Sequence, residues 1–130
     1  MGFPRLLRFR IVNQEPQLDG VPASLPGLLK AFRMTEKAAA IGFDWERPAD
    51  VVTKLREEVD ELDAEVSHLE DADPDRVRAE MGDVLFVLAN LARHLGVEPE
   101  TALQETNAKF LDRFRFMEQV ARADGRPLDG

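Results

Sequence analysis

The sequence predicts an all-α fold, an antiparallel, four-helix, bundle-like domain. Three observations predict it. Apolar residues recur at helical spacing in four successive stretches. Proline or a capping residue opens these stretches, and glycine closes two of them. The connections are short, as antiparallel neighbours require.

The first stretch to account for is not helical. Leu7, Phe9 and Ile11 alternate with Arg8 and Arg10, a short period-two signal, before Pro16, Gly20 and Pro22 break the chain. Residues 1–22 are therefore expected to form an extended arm or short strand, and the helical domain to run over 23–122. Ser24 is the expected N-cap of the first helix, whose face carries Leu28, Leu29, Phe32, Ala39 and Ile41 and which Gly42 ends. The loop "GFDWERP" leads to Pro48, suited to the first turn of a second helix. There Leu55, Val59, Leu62, Val66 and Leu69 form one narrow seam. "EDADPDR" interrupts it, and Asp73–Pro74 is a cap followed by a first-turn proline. Val77, Met81, Val84, Leu88, Leu91 and Leu95 make the third seam, ending at Gly96. Pro99 opens a fourth helix with Leu103, Phe110, Phe114 and Met117. Residues 123–130 are expected to be a frayed tail.

Composition narrows the function classes. At 130 residues with 44% apolar content, one domain with its own core is expected. No run of apolar residues is long enough for a membrane span. The N-terminus carries no charged region, apolar core and cleavage site in succession, so secretion is not expected. Cysteine is absent, which fits a reducing cytoplasm. A net charge of −8 argues against a nucleic-acid-binding surface. An acidic protein can still take a polyanionic substrate if cations and a few basic side chains meet it.

The charge is concentrated. Six of the thirteen residues in "KLREEVDELDAEV", Lys54 to Val66, are acidic. With about 100° of rotation per residue, Glu61 lies about 60° from Glu58, Lys54 and Glu65 fall between them, and the apolar seam lies about 60° to the other side. Lys54, Glu58, Glu61 and Glu65 thus form a polar stripe along the edge of the buried face, with Glu57 farther round and Asp60 pointing away. The third helix repeats the pattern with Glu80 and Asp83. A single Glu-x-x-Glu is ordinarily a solvated face. Two carboxylate pairs bordering the seams of consecutive helices can instead converge, and converging carboxylates need a counter-charge. A hard divalent cation with oxygen ligands provides it, Mg2+ where phosphates complete the shell. The Glu-x-x-His of di-iron bundles is missing, since neither His68 nor His94 follows a glutamate by three.

Other residues allow two readings each. Lys109 and Arg113, four apart on the fourth helix, are surface charges pairing with Glu105 or Asp112, or contacts for phosphate. Asn107 caps a turn or meets substrate. Trp45 is a packing anchor or stacks on a base. His94 is expected to interact with the helix C-terminus.

Taken together, "EEVDE" (Glu57, Glu58, Glu61) and "EMGD" (Glu80, Asp83), with "LPGLLKAFRMTEKAAAIGFDW", "GDVLFVLANLARHLGV" and "NAKFLDRFRFME" around them, resemble the MazG family of nucleoside triphosphate pyrophosphohydrolases. The resemblance covers residues 25–118. It implies hydrolysis of the α–β phosphoanhydride of a nucleoside triphosphate to monophosphate and pyrophosphate. It implies Mg2+, with Mn2+ as substitute, on Glu58, Glu61, Glu80 and Asp83. It implies phosphate or nucleotide contacts from Lys54, Lys109 and Arg113, with Asn107 at the family's asparagine position. Glu57 matches the first acid of the motif and is the candidate for orienting or deprotonating the attacking water; ligand and surface charge also fit it. Longer members continue with a segment bearing a tryptophan and a lysine, so base contacts here are expected from Trp45 or a partner subunit. Family members assemble as dimers or tetramers, and a thin bundle with more than one apolar face gains by pairing. The alternatives are a more selective relative, dUTPase-like or a phosphoribosyl-ATP pyrophosphohydrolase, and a non-catalytic helical dimerisation module.

Overall fold

The structure, a computed structural model, describes residues 16–125. Among them there is no strand. Four helices follow in order, α1 Gly27–Ala40, α2 Pro48–Val66, α3 Pro74–His94 and α4 Pro99–Ala123, with a single 3-10 turn at Leu69–Asp71. Among the described residues, no helix is long and apolar enough to cross a membrane. The period-two stretch around Leu7 lies outside the described residues.

Helix starts follow proline chemistry. Pro48 and Pro74 occupy the first turns of α2 and α3, where a missing N–H costs nothing. The Asp73 side chain accepts the Asp75 N–H at 2.9 Å, as a cap should. The first helix does not start at Ser24. Proline disfavours helical backbone in the residue before it, so Pro26 keeps Leu25 out of the helix. Pro26 itself is extended (φ −53°, ψ 146°) and takes the cap position with no side-chain hydrogen bond, so α1 starts at Gly27. α2 ends at Val66, so Leu69 belongs to the following turn rather than to the seam.

α1 and α3 end identically. Gly42 and Gly96 have positive φ, 90° and 71°. In each case the glycine N–H returns to the third-last residue of the turn and the next N–H reaches one residue further back. Gly42 bonds Ala39 O and Phe43 bonds Ala38 O; Gly96 bonds Arg93 O and Val97 bonds Ala92 O. This is the Schellman arrangement, which a side chain at the glycine position would strain.

The chain divides into two compact units, Met1–Pro99 and Glu100–Gly130. In the first, α3 packs against both α1 and α2. α2 and α3 are antiparallel: Glu61 faces Glu80, and four residues on, Glu65 pairs with Arg76 at 3.4 Å. The core is small: Ala31 of α1, Val51 of α2, and Val84, Val87 and Ala89 of α3. Each fully buried valine contributes roughly 1.5–3 kcal/mol. The apolar residues of α3 are divided by this packing. Val84 and Val87 turn inward, while Met81, Leu85 and Leu88 stay exposed, a stripe that α1 and α2 leave uncovered. In the second unit no residue of α4 is buried, and Phe110 and Phe114, one turn apart, stack with ring centroids 6.2 Å apart.

A polar clasp ties the α1–α2 loop to the end of α3. Asp44 Oδ1 accepts from Arg93 Nη2 and lies 2.8 Å from His94 Nε2. It also accepts the Trp45 N–H at 2.8 Å. A carboxylate only accepts, so the His94 nitrogen facing it carries the hydrogen. Arg93 is held in turn by the buried Asn90, whose Oδ1 accepts from Nε at 3.1 Å and Nη2 at 2.9 Å. His94, the last residue of α3, thus also meets a side chain on the neighbouring loop.

Asp44→Ala leaves Arg93 without its charged partner at a site that is four-fifths covered. It is expected to lower stability by about 2 kcal/mol, the scale of hydrogen bonds to charged groups, read as a lower urea midpoint with an unchanged slope.

Candidate metal centre

α2 brings Glu58 and Glu61 to one side of its axis, and antiparallel packing sets Glu80 of α3 opposite them. One carboxylate oxygen from each of the three lies within 4.8 Å of the other two. Helical spacing placed Glu58 at the edge of the buried face; the structure puts it at the centre, 0% exposed and among the largest fully buried side chains. The difference arises because α3 covers that edge. Glu80 is half-buried and Glu61 is exposed, so the cluster runs from the interior to the surface.

The charges are poorly compensated. Neither oxygen of Glu58 has a hydrogen-bond donor, nor does Glu80 Oε2, though all three are shielded from solvent. A positive group beside it is Lys54, one turn earlier on α2. Its Nζ lies 3.2 Å from Glu58 Oε1, within ion-pair range but without hydrogen-bond alignment, and 3.5 Å from Glu57 Oε2. Burial opposes the Lys54 charge, but Glu58 and, behind it, Glu57 more than offset this, so the ammonium pKa stands above its ordinary value. Lys54 is therefore cationic at neutral pH.

Three carboxylates with one lysine leave an excess of negative charge, and at the buried Glu58 end water does not screen it. Burying such charges without partners is strongly unfavourable. The donor set is all oxygen, one from each carboxylate lying within 4.8 Å of the other two. It fits a hard divalent cation, which prefers oxygen ligands; thiolate and imidazole donors, which suit softer metals, are absent from the group.

The remaining expected residues fall outside the triad. Asp83, one turn after Glu80, is half-buried and has an interaction of its own; the carboxylates that converge are Glu58, Glu61 and Glu80. Glu57 is exposed and points to Lys54 rather than to the cluster. Trp45 is half-buried in the loop before α2. Asn107, Lys109 and Arg113 are exposed residues of α4 and belong to the second unit. The clasp residues Asp44, Asn90 and Arg93 had no sequence signal as a group, since Asp44 and Arg93 are 49 positions apart.

Antiparallel helices that bring three carboxylates together define an all-helical protein with a group that could hold a metal ion. Residues 46–115 match the model of the MazG nucleotide pyrophosphohydrolase domain, and the chain belongs to that family. It is 43% identical over 117 residues to the nucleoside triphosphate pyrophosphohydrolase of Escherichia coli (strain K12), an alignment covering 90% of this chain and 44% of the relative. It is 41% identical over 105 residues to the nucleoside triphosphate pyrophosphohydrolase/pyrophosphatase MazG of Thermotoga maritima, covering 81% of this chain and 39% of the relative. The chain thus spans less than half the length of these curated relatives.

Glu80→Gln removes one of the crowded charges and offers an amide donor to the unpaired oxygens of Glu58. In EDTA it is expected to raise the melting temperature by about 4 °C, the shift of roughly 1 kcal/mol in a domain of this size. With a divalent cation present, the same variant is expected to show a smaller rise than wild type.

Proposed function

We propose that the chain is a Mg2+-dependent nucleoside triphosphate pyrophosphohydrolase of the cytoplasm. It cleaves the α–β phosphoanhydride of (d)NTPs to (d)NMP and pyrophosphate, and it serves to clear non-standard nucleotides. The observation that carries this is the triad itself: a wholly buried Glu58 with unpaired oxygens, converging with Glu61 and Glu80. The named activity of the two relatives supports the reaction class. When bound, Mg2+ supplies charge neutralisation for the triphosphate and a water of lowered pKa.

The chain's own residues divide the remaining work. Glu58, Glu61 and Glu80 hold the ion, with Asp83 as the fourth ligand that the family pattern implies. Glu57, exposed beside Glu58, accepts a proton from the attacking water or orients it. The water oxygen bonds to the α-phosphorus, and the bridging oxygen leaves with pyrophosphate. Lys54 contributes positive charge toward the phosphates. For Asn107, Lys109 and Arg113 as phosphate contacts, and for Trp45 as the surface under the base, the assignment rests on the family pattern and residue chemistry.

The test is a pyrophosphate-release panel over standard and modified NTPs and dNTPs with Mg2+. Wild type is expected to turn over, Glu61→Ala to lose activity with its cation, and Glu57→Gln, at saturating Mg2+, to turn over about a hundredfold more slowly, the low end of a general-base contribution. Active, cation-free Glu61→Ala protein overturns the assignment, and unchanged Glu57→Gln turnover removes Glu57 from the chemistry.

We also propose a homodimer or dimer of dimers. Met81, Leu85 and Leu88 of α3 and Val59 and Val66 of α2 are all at least 41% exposed on the single chain, an apolar surface that a second copy would cover. Sedimentation at micromolar concentration is expected to show dimer or tetramer; a stable monomer refutes it.

A further inference from the structure

Lys54 stands where a divalent cation has to come. Its ammonium is 3.2 Å from Glu58 Oε1, and an ion ligated by that oxygen sits at about 2.1 Å from it. The two positive centres would then be only a few ångströms apart at the buried Glu58 end of the site, where like charges repel strongly. The same lysine has a second carboxylate within reach, Glu57 Oε2 at 3.5 Å. The two acids differ sharply in setting: the Glu58 side chain is 0% exposed and that of Glu57 59%. They lie three and four residues after Lys54, the spacings at which side chains meet on a helix surface. The ammonium is in ion-pair range of both at once, so losing the contact with Glu58 would still leave it paired with Glu57.

The contact with Glu58 is also of a replaceable kind. Neither Glu58 oxygen accepts an aligned hydrogen bond, so Lys54 acts there as a point charge rather than as a fixed donor. Without it, three converging carboxylates would have no counter-charge at the buried end.

We propose that Lys54 is an internal counter-ion for the carboxylate triad, that a divalent cation displaces it from Glu58, and that Glu57 receives the released ammonium. The proposal rests on the triad being a cation site. It assigns Glu57 a role in the cation equilibrium, separate from any part in catalysis. Lys54 keeps the cation-free protein folded, and the competition lowers affinity for the cation. The pairing with Glu57 returns part of that affinity.

The experiment is calorimetric titration of Mn2+ and Mg2+ into wild type, Lys54→Met, Lys54→Arg and Glu57→Gln, with melting curves of each in EDTA. Lys54→Met is expected to melt lower than wild type in EDTA yet bind Mn2+ about tenfold more tightly, since one repelling charge is gone. Lys54→Arg, which keeps the charge, is expected to stay within about twofold of wild type. Glu57→Gln is expected to bind the cation several-fold more weakly, because the displaced ammonium has lost its second partner. Folded Lys54→Met that binds Mn2+ as wild type does, or more weakly, overturns the proposal. If Lys54→Met does not fold in EDTA, Glu57→Gln decides: unchanged or tighter binding overturns it. Wild type that takes up neither cation overturns the triad as a cation site and this proposal with it, whereas wild-type binding with unaltered variants overturns only the role of Lys54.

Discussion

The structure depends on one unfavourable act, the complete burial of the Glu58 carboxylate against two other carboxylates. A charge removed from water needs a partner of comparable strength. Lys54 provides part of that, at 3.2 Å and without aligned hydrogen bonding. The rest of the requirement is unmet by the described residues. The converging oxygens of Glu58, Glu61 and Glu80 form a group that could hold a metal ion, and a bound cation would return free energy to such an arrangement.

Convergence in turn depends on the register between α2 and α3. Sliding α2 by one residue along α3 would turn Glu58 and Glu61 about 100° round the helix and scatter the triad. Several local devices hold the register. Pro48 and Pro74 fix where the two helices begin, the Asp73 cap secures the second start, and the Glu65–Arg76 pair matches the helices one turn beyond the triad. At the other end the Asp44 clasp joins the loop that feeds α2 to Arg93 and His94 of α3. The two Schellman endings shape both partners of that clasp, for Gly42 turns the chain toward Asp44 and Gly96 closes α3 directly after His94. Backbone punctuation and a side-chain network remote from the carboxylates thus determine the site geometry.

The core that supports this is thin. Five small apolar residues are buried, while Met81, Leu85 and Leu88 on α3 are not. Much of the buried volume is polar: Glu58, Asn90 and Thr35, the last satisfied by the Ala31 and Phe32 carbonyls at 2.9 and 3.0 Å. A small domain that spends interior space on a carboxylate and a carboxamide has less apolar burial to offset chain entropy. This gives physical weight both to the exposed apolar stripe as a surface for a second copy and to cation binding as a source of stability.

Periodicity and punctuation were sufficient for the four helices, their short connections and the candidate carboxylates, because helix formation, proline starts and glycine endings are governed by neighbours within one or two turns. The acidic pairs were legible for the same reason: three-residue spacing puts Glu58 beside Glu61 whatever surrounds them. Where local rules competed, the outcome was less readable, as when Pro26 moved the start of α1 past Ser24. What only the tertiary structure decided were the relations between helices: that α3 seals Glu58 fully, that Glu80 comes within reach of Glu58 and Glu61, and that Asp44 meets Arg93 and His94. Each joins or orients groups through packing of separate segments. Burial, charge compensation and ligand convergence depend on distances across helices, which no one-dimensional spacing encodes.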